Sequence, residues 1–388
     1  MFGSYLKLCR QARLKPASVT KYTPWLGLRR RYVHGSIEGT TNTSPFEILY
    51  FGRDEFSCIV LEQLYAAEDV WRNISIVTQP DVKVGRRSSQ LSISPLKSLG
   101  ERLKLHVYTI PEERKAFRYW QPPAPFDQLP TSPSHLLVTA SFGRILSNSL
   151  LQRFEPKRRL NVHPSLLPVY RGPAPIQHAL IDGLKETGVC VIEMTEYKKG
   201  IDSGDVWGQR RMSIPEDYAF PALRDALALE GGRLLVKVLR NMMSGTGIPT
   251  PQRVTENFRY APLITANDAL LDFKSMTAQD VVQRHKAISH QKAVFAKLNT
   301  GKTVRLHDPV VVENPSDTTL GFISEPGLAI YEPYSKSLHI RCASDTVLAV
   351  RKLQLQDKIA LDARAWWNGV RPEMRFAPFS ENGSIVFV

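Results

Sequence analysis

Short apolar runs alternate with helix-spaced ones over the first two thirds of the chain. FEILYFG (Phe46–Gly52) is apolar at all but Glu47 and ends in Gly, the pattern of a strand buried on both faces. EFSCIVLEQLYAAEDVW follows with apolar residues three and four apart, as a helix on a sheet has them. NISIVTQ (Asn73–Gln79) predicts a second strand. SPLKSLGERL predicts a helix opened by Ser94 with Pro95 at its first position. LKLHVYTI and HLLVTASFG (His135–Gly143) predict two further strands. GPAPIQHALIDG reads as a helix, TGVCVIEMT as a strand, and YKKGIDSGDVWGQ as a Gly-rich turn entering another strand. A long helix, FPALRDALALEGGRLLVKVLRNMMSG, ends at Gly245.

Residues 246–262 are turn-rich and read as a linker. Beyond one or two helical turns near TAQDVVQRHKAIS the period changes to that of short strands: KAVFAKL, KTVRLHDPVVV, GLAIYE, SLHIRCA and VLAVRKLQLQ. Gly, Pro, Asn and Asp interrupt them, which fits a small barrel. The fold class is therefore α/β. A Rossmann-like, mostly parallel sheet domain is expected over residues 36–245, followed by a small OB-like β-barrel over 263–388.

Charge adds a third segment. The 388 residues carry 51 Lys and Arg against 37 Asp and Glu, a net of +14. Eight of those cations fall in the first thirty-five residues, with no acid before Glu38, so the rest of the chain holds only +6. Phe2, Tyr5, Leu6 and Cys9 would share one side of a short helix there, opposite Ser4, Lys7, Gln11 and Lys15. Residues 1–35 thus read as a transit peptide, which implies the mitochondrial matrix. The alternative is a basic arm that touches nucleic acid. No apolar run approaches the length of a membrane span, so no membrane association is expected. Cys9, Cys58, Cys190 and Cys342 are scattered without a Cys-x-x-Cys pair, which argues against a disulfide framework or a zinc site. Neither G-x-G-x-x-G nor a P-loop is present, so nucleotide binding by those devices is not supported.

The densest candidate chemistry is NVHPSLLPVYRG (Asn161–Gly172). Alternate side chains of an extended segment share a face, so Asn161 and His163 project together and Val162 the other way. An amide can donate to a developing oxyanion, and an imidazole can move a proton near neutral pH. GIDSGDV offers Asp202 and Asp205 to orient the imidazole. Equally, Asn161 could be a turn residue and His163 a hydrogen-bonded core histidine.

The longer string NVHPSLLPVYRGPAPIQHAL, followed by GIDSGDV, resembles the folate-dependent formyltransferase family. FGRDEF, VTQPDVKVGRR and VTASFGRIL resemble the branch that formylates methionine on initiator tRNA, and RGPAPIQHAL is much more like that branch than like the glycinamide ribonucleotide one. The likeness runs from about residue 46 to 210 and more weakly beyond. It implies a catalytic trio of Asn161, His163 and Asp202, with 10-formyltetrahydrofolate as co-substrate and initiator methionyl-tRNA as acceptor. It implies a folate pocket walled by Phe142, Gly143 and Ile145 and contacted by Ser165, Leu166, Leu167 and Pro168. The loop Pro80–Gln90 would enter the tRNA acceptor arm through Lys83, Arg86 and Arg87, with Arg86 at the family's key arginine. Lys292, Lys297, Lys302 and Arg305 are candidates for phosphate contacts on the barrel. Two departures from the family pattern are Arg53, where Thr is usual, and Ser141-Phe142 in place of Ala/Ser-Tyr. No metal and no covalent nucleophile is expected, and a monomer is. Competing functions are formyl transfer to a small molecule, hydrolysis of formyl-folate, and RNA binding without catalysis on the same scaffold.

Overall fold

The computed structural model describes residues 44–84, 89–129, 131–253, 258–370 and 385–388. The N-terminal arm and the loop residues Arg86 and Arg87 lie outside them. β1 (Phe46–Gly52) leads through Asp54 into α1 (Glu55–Tyr65), and the chain returns as β2 (Trp71–Thr78). A ribbon of β3 (Val82–Val84) against β4 (Gln90–Ser92) precedes α2 (Pro95–Arg102) and β5 (His106–Thr109). α3 (Arg114–Phe117), β6 (His135–Ala140), α4 (Asn148–Leu151), β7 (Arg159–His163), α5 (Pro175–Ile181), β8 (Glu186–Glu193), β9 (Val206–Ser213) and α6 (Phe220–Met243) follow.

The sheet order is β5-β2-β1-β6-β7-β8-β9. The five strands from β5 to β7 are parallel, while β8 runs antiparallel to β7 and β9 antiparallel to β8. The order reverses direction between β1 and β6, the point where open α/β sheets open a crevice at their carboxyl ends. β1 shows why its run is apolar throughout. Ile48 and Tyr50 join the core under α1 and α6, while Leu49 and Phe51 join a second cluster with Phe117, Leu137 and Phe142 on the other face. α1 is shorter than its sequence pattern suggests, because Trp71 opens β2 instead, its indole donating to Leu64 O at 3.0 Å.

α6 lies close on the sheet through Gly231 and Gly232. A β-carbon at Gly231 would stand 2.8 Å from Val162 Cγ1 and 3.1 Å from Val189 Cγ2, and one at Gly232 2.6 Å from Gln63 Cβ. Each mid-helix glycine costs roughly 0.5–1 kcal/mol in helix stability. The close approach to β7, β8 and α1 requires both.

The C-terminal part begins with α7 (Ala278–Ile288), eleven residues with a Thr277–Asp280 capping box, where the sequence pattern suggested one or two turns. Then come β10 (Phe295–Lys297), β11 (Thr303–His307), β12 (Val310–Val312), α8 (Asp317–Phe322), β13 (Leu328–Glu332), β14 (Ser337–Arg341), β15 (Val347–Val350), β16 (Lys352–Leu355), β17 (Leu361–Asp362), α9 (Ala363–Asn368) and β18 (Ile385–Val386). They form two antiparallel sheets, β10-β11-β16-β17 and β12-β15-β14-β13-β18. KTVRLHDPVVV and VLAVRKLQLQ each divide between the sheets. β11 passes into β12 through Asp308, whose φ is +47°, and β15 passes into β16 through Arg351. Such corners, where one run switches sheet, are how a small barrel closes. No helix among the described residues is long and apolar enough to cross a membrane.

The Gly231 contact gives a prediction. Gly231→Ala gains helix propensity but must displace Val162, a branched side chain with no free rotation. We expect a net loss of about 1–3 kcal/mol, the usual cost of overpacking, in urea unfolding. A variant as stable as the parent would show that α6 is not tightly seated on β7.

Candidate active site

β6 and β7 pair in register with Thr139 opposite Asn161. The pleat points both side chains to one face, and Thr139 Oγ1 donates to Asn161 Oδ1 at 2.7 Å. That bond fixes the amide's orientation. Asn161 Nδ2 is left as donor, 3.4 Å from Asp202 Oδ1. His163, two residues on, is 4% exposed. Its Nε2 lies 2.9 Å from the carbonyl oxygen of Tyr170. A carbonyl only accepts, so Nε2 carries the hydrogen and Nδ1 is the nitrogen free to exchange a proton. Nδ1 faces Asp202 Oδ2 at 3.6 Å. The loop between β8 and β9 brings Asp202 to this pair, and Gly172 N donates to Asp202 Oδ2 at 3.0 Å. The structure thus gathers Asn161, His163 and Asp202 at one place.

Asp202 has φ +52°, a left-handed conformation that costs a non-glycine residue roughly 1–2 kcal/mol. Gln252 holds this turn. Its Nε2 donates to Asp202 O at 2.8 Å and to Gly204 O at 2.7 Å, and its Oε1 accepts from Arg171 Nε at 3.0 Å and Nη2 at 2.7 Å. Arg171 is itself tied down. Its guanidinium lies 5.5 Å from the centre of the Phe258 ring, and its carbonyl accepts from Ala261 N at 2.8 Å. Gly172 must be glycine, since a β-carbon there would meet Ala261 O at 2.7 Å and the Tyr260 ring at 2.8 Å. Gln252, Phe258, Tyr260 and Ala261 all belong to the stretch read as a linker from sequence. Asp205 is not part of the trio; its carbonyl oxygen accepts from Glu193 N.

The expected folate-pocket residues divide by exposure. Gly143 and Ile145 are exposed, and Leu166 and Pro168 half-buried. Phe142 is instead packed edge-on against Phe51, 5.0 Å between ring centres, so its ring backs the loop rather than facing solvent. Leu167 is buried with Cys190, Ile192 and Val206. Ser165 is fully buried, and its hydroxyl donates to Val169 O at 2.7 Å. Its role in the turn is to fold SLLP, which leaves the exposed contacts to its neighbours. Four bonds anchor the Ser141–Ile145 loop: Ser141 Oγ donates to the Asp54 carboxylate, Gln79 Nε2 donates to Phe142 O at 2.6 Å, and the Arg144 guanidinium donates to Pro111 O at 3.1 Å and Glu112 O at 2.9 Å. Burial raises the Asp54 carboxyl above its usual range, with the Ser141 hydroxyl and the Ser57 amide pulling the other way. Arg53 is exposed, and its carbonyl accepts from Ser94 Oγ at 2.8 Å.

Lys83 is exposed on β3 at the base of the Pro80–Gln90 loop. Lys297, Lys302 and Arg305 are exposed on and between β10 and β11, where Ala296 and Val304 point inward; Lys292 is half-buried. Burial pushes the thiol of Cys190 up to about 11 and those of Cys58 and Cys342 up to about 12, so none is a thiolate at neutral pH. Among the described residues no group of three or more His, Cys, Asp or Glu is arranged to hold a metal ion.

Residues 48–239 match the family described as formyl transferase, and residues 263–371 its C-terminal domain. A methionyl-tRNA formyltransferase of Staphylococcus epidermidis is 32% identical over 329 residues, 84% of this chain and 97% of its relative. One from Staphylococcus aureus is 31% identical over 326 residues, 84% and 96% of the two chains. The chain belongs to the methionyl-tRNA formyltransferase family.

Its fold is that of solved formyltransferases more distant in sequence. A sugar 3N-formyl transferase crystallised with dTDP and 5-N-formyl-THF superposes at a TM-score of 0.54 and 14% identity, covering 81% of this chain and all of that one. An N-formyltransferase from Helicobacter canadensis, in complex with folinic acid and dTDP-3-aminofucose, gives 0.53 and 14%, covering 79% and 98%. The fold is thus a Rossmann-like domain followed by a small barrel, and the family match and the Staphylococcus relatives make the protein a formyltransferase enzyme.

Sequence reasoning missed Thr139, Arg171, Gly172 and Gln252. Thr139 left a trace, as a hydroxyl inside the otherwise apolar LLVTA of a fully buried strand. Gln252 left none. Thr139→Val keeps the shape and removes the bond that orients Asn161. We expect kcat to fall five- to tenfold, with a loss of about 1–3 kcal/mol in urea unfolding from the unpaired Asn161 oxygen, too little to unfold the enzyme under assay conditions. An unaltered kcat would show that the Asn161 amide is oriented by something else.

Proposed function

We propose that this methionyl-tRNA formyltransferase works in the mitochondrial matrix, with Asn161, His163 and Asp202 as its catalytic groups. It moves the formyl group of 10-formyltetrahydrofolate to the α-amine of methionyl initiator tRNA. The observation that carries the catalytic reading is the convergence of an oriented amide, an imidazole and a carboxylate at the carboxyl end of β7.

The folate supplies the formyl carbon, which the neutral amine attacks. Negative charge then grows on the formyl oxygen. Asn161 suits that charge, because Thr139 leaves both amide N–H groups as donors and only one points to Asp202. A proton must leave the amine. His163 can take it at Nδ1, since Nε2 is held by Tyr170 O, and Asp202 Oδ2 balances the resulting imidazolium. The same proton can pass to the departing folate nitrogen. The site's own groups therefore suffice to stabilise the oxyanion and carry the proton. The exposed Gly143 and Ile145 and the half-buried Leu166 and Pro168 offer the flat ligand an apolar edge.

The tRNA reading is supported by Lys83 on the β3–β4 ribbon, by Arg86 and Arg87 in its loop sequence, and by Lys297, Lys302 and Arg305 on the barrel. The mitochondrial reading is supported by the basic, acid-free first thirty-five residues.

Single-turnover transfer from formyl-folate to charged initiator tRNA tests the reaction; label appearing on a small amine or as free formate instead would overturn it. In that assay Asn161→Ala and His163→Ala should each slow the chemical step by on the order of 10²–10³-fold with little change in tRNA affinity. The double variant should lose less than the product of the two. A His163→Ala enzyme with parental kcat would remove the imidazole from the mechanism.

Deleting residues 1–31 should abolish mitochondrial import and leave the purified enzyme active. Import of the truncated chain would overturn the targeting assignment.

A further inference from the structure

We infer that Gln252 is a positioning residue for catalysis, and that the interdomain segment carrying it is part of the active site. This rests on Asp202 being a catalytic group. Gln252 sits in the stretch between the two domains, fifty residues along the chain from Asp202. It touches neither Asn161 nor His163 in any hydrogen bond or ion pair, so it acts through the Asp202 turn.

The surroundings demand a primary amide in one orientation. On one side stand two carbonyl oxygens, Asp202 O and Gly204 O, which need donors. On the other stands the Arg171 guanidinium, which needs an acceptor. Turned over, the amide would face oxygen to oxygen and N–H to N–H. A carboxylate would satisfy Arg171 and repel both carbonyls. An apolar chain of the same length would satisfy neither side.

The bonds grip the turn on both sides of Ser203. Gly204 is pressed on the end of β8, where a β-carbon would stand 1.8 Å from Glu193 O, so the turn cannot settle further inward. Asp202 holds a left-handed backbone without being glycine, and such a residue persists only where its surroundings over-determine it. The side-chain partners of Asp202 are few and long: Asn161 at 3.4 Å and His163 at 3.6 Å, with only Gly172 N at 3.0 Å. The precision of the carboxylate therefore comes from its backbone, and Gln252 supplies it. Flanking contacts keep Gln252 in place. Thr250 and Val206 exchange backbone bonds at 2.9 and 2.8 Å, and Arg259 O accepts from Tyr170 N at 2.7 Å.

The experiment is a double-mutant cycle on the full-length enzyme, with single-turnover transfer to charged initiator tRNA as the readout. Gln252→Met and Gln252→Glu should each reduce kcat by about tenfold or more while KM for folate and for tRNA moves by less than about twofold. Gln252→Glu keeps its bond to Arg171, so its fold is secured even if Gln252→Met unfolds. In an Asp202→Asn background the same Gln252 changes should cost less than about twofold, because their effect runs through the missing carboxylate. A Gln252→Glu enzyme at the parental rate beside a crippled Asp202→Asn enzyme would overturn the positioning role alone. So would equal losses in both backgrounds, which mark general damage to the fold. A parental rate in Asp202→Asn itself would overturn the assignment of the carboxylate, and this inference with it.

Discussion

The site depends on a backbone turn that is uncomfortable by itself. Asp202 occupies a conformation that an L-residue avoids, in a loop between two antiparallel strands at the edge of the sheet. Its carboxylate reaches Asn161 and His163 only if that loop stays where it is. Much of what surrounds it can be understood as restraint. Gly172 N takes one carboxylate oxygen, Gln252 takes the carbonyls on both sides of Ser203, and Arg171 keeps Gln252 from turning over. The rigid partner in the arrangement is β7, whose pleat puts Asn161 and His163 on one face; Thr139 on β6 and the Tyr170 carbonyl then orient the two side chains.

That division between strand and loop explains how much could be read beforehand. The apolar runs gave the parallel strands, because a strand covered on both faces has almost no choice of residue type. β1 and β6 are buried nearly throughout. Asn161 and His163 were legible as neighbours from period two alone. Asp202 needed the family resemblance, since nothing in GIDSGDV distinguishes it from Asp205 until the loop is folded. Gln252 was illegible because a lone glutamine in a turn-rich stretch carries no periodic or motif signal. Its meaning lies in partners fifty and eighty-one residues away. The barrel was readable as strands but not as corners: a run such as VLAVRKLQLQ gives no sign that Arg351 divides it between two sheets.

His163 shows how a buried histidine can still present one defined nitrogen. It is a buried, hydrogen-bonded core histidine by every structural measure, with Nε2 spent on Tyr170 O. Being spent there is what makes it usable. The carbonyl settles which nitrogen bears the permanent hydrogen and turns the other toward Asp202. A freely rotating imidazole would present either nitrogen and lose that definition.

The return of the chain onto Asp202 also bears on how such a protein can be divided. The sheet and α6 are complete at Met243, which makes the following turn look like a natural seam for recombination between relatives. A catalytic half joined there to a foreign barrel would bring its own Asn161, His163 and Asp202 but leave behind the backbone that steadies the carboxylate. The backbone contacts that surround the Asp202 turn extend through Ala261, past the end of α6. Exchange at the earlier seam would yield a well-packed sheet with a loosened Asp202 turn.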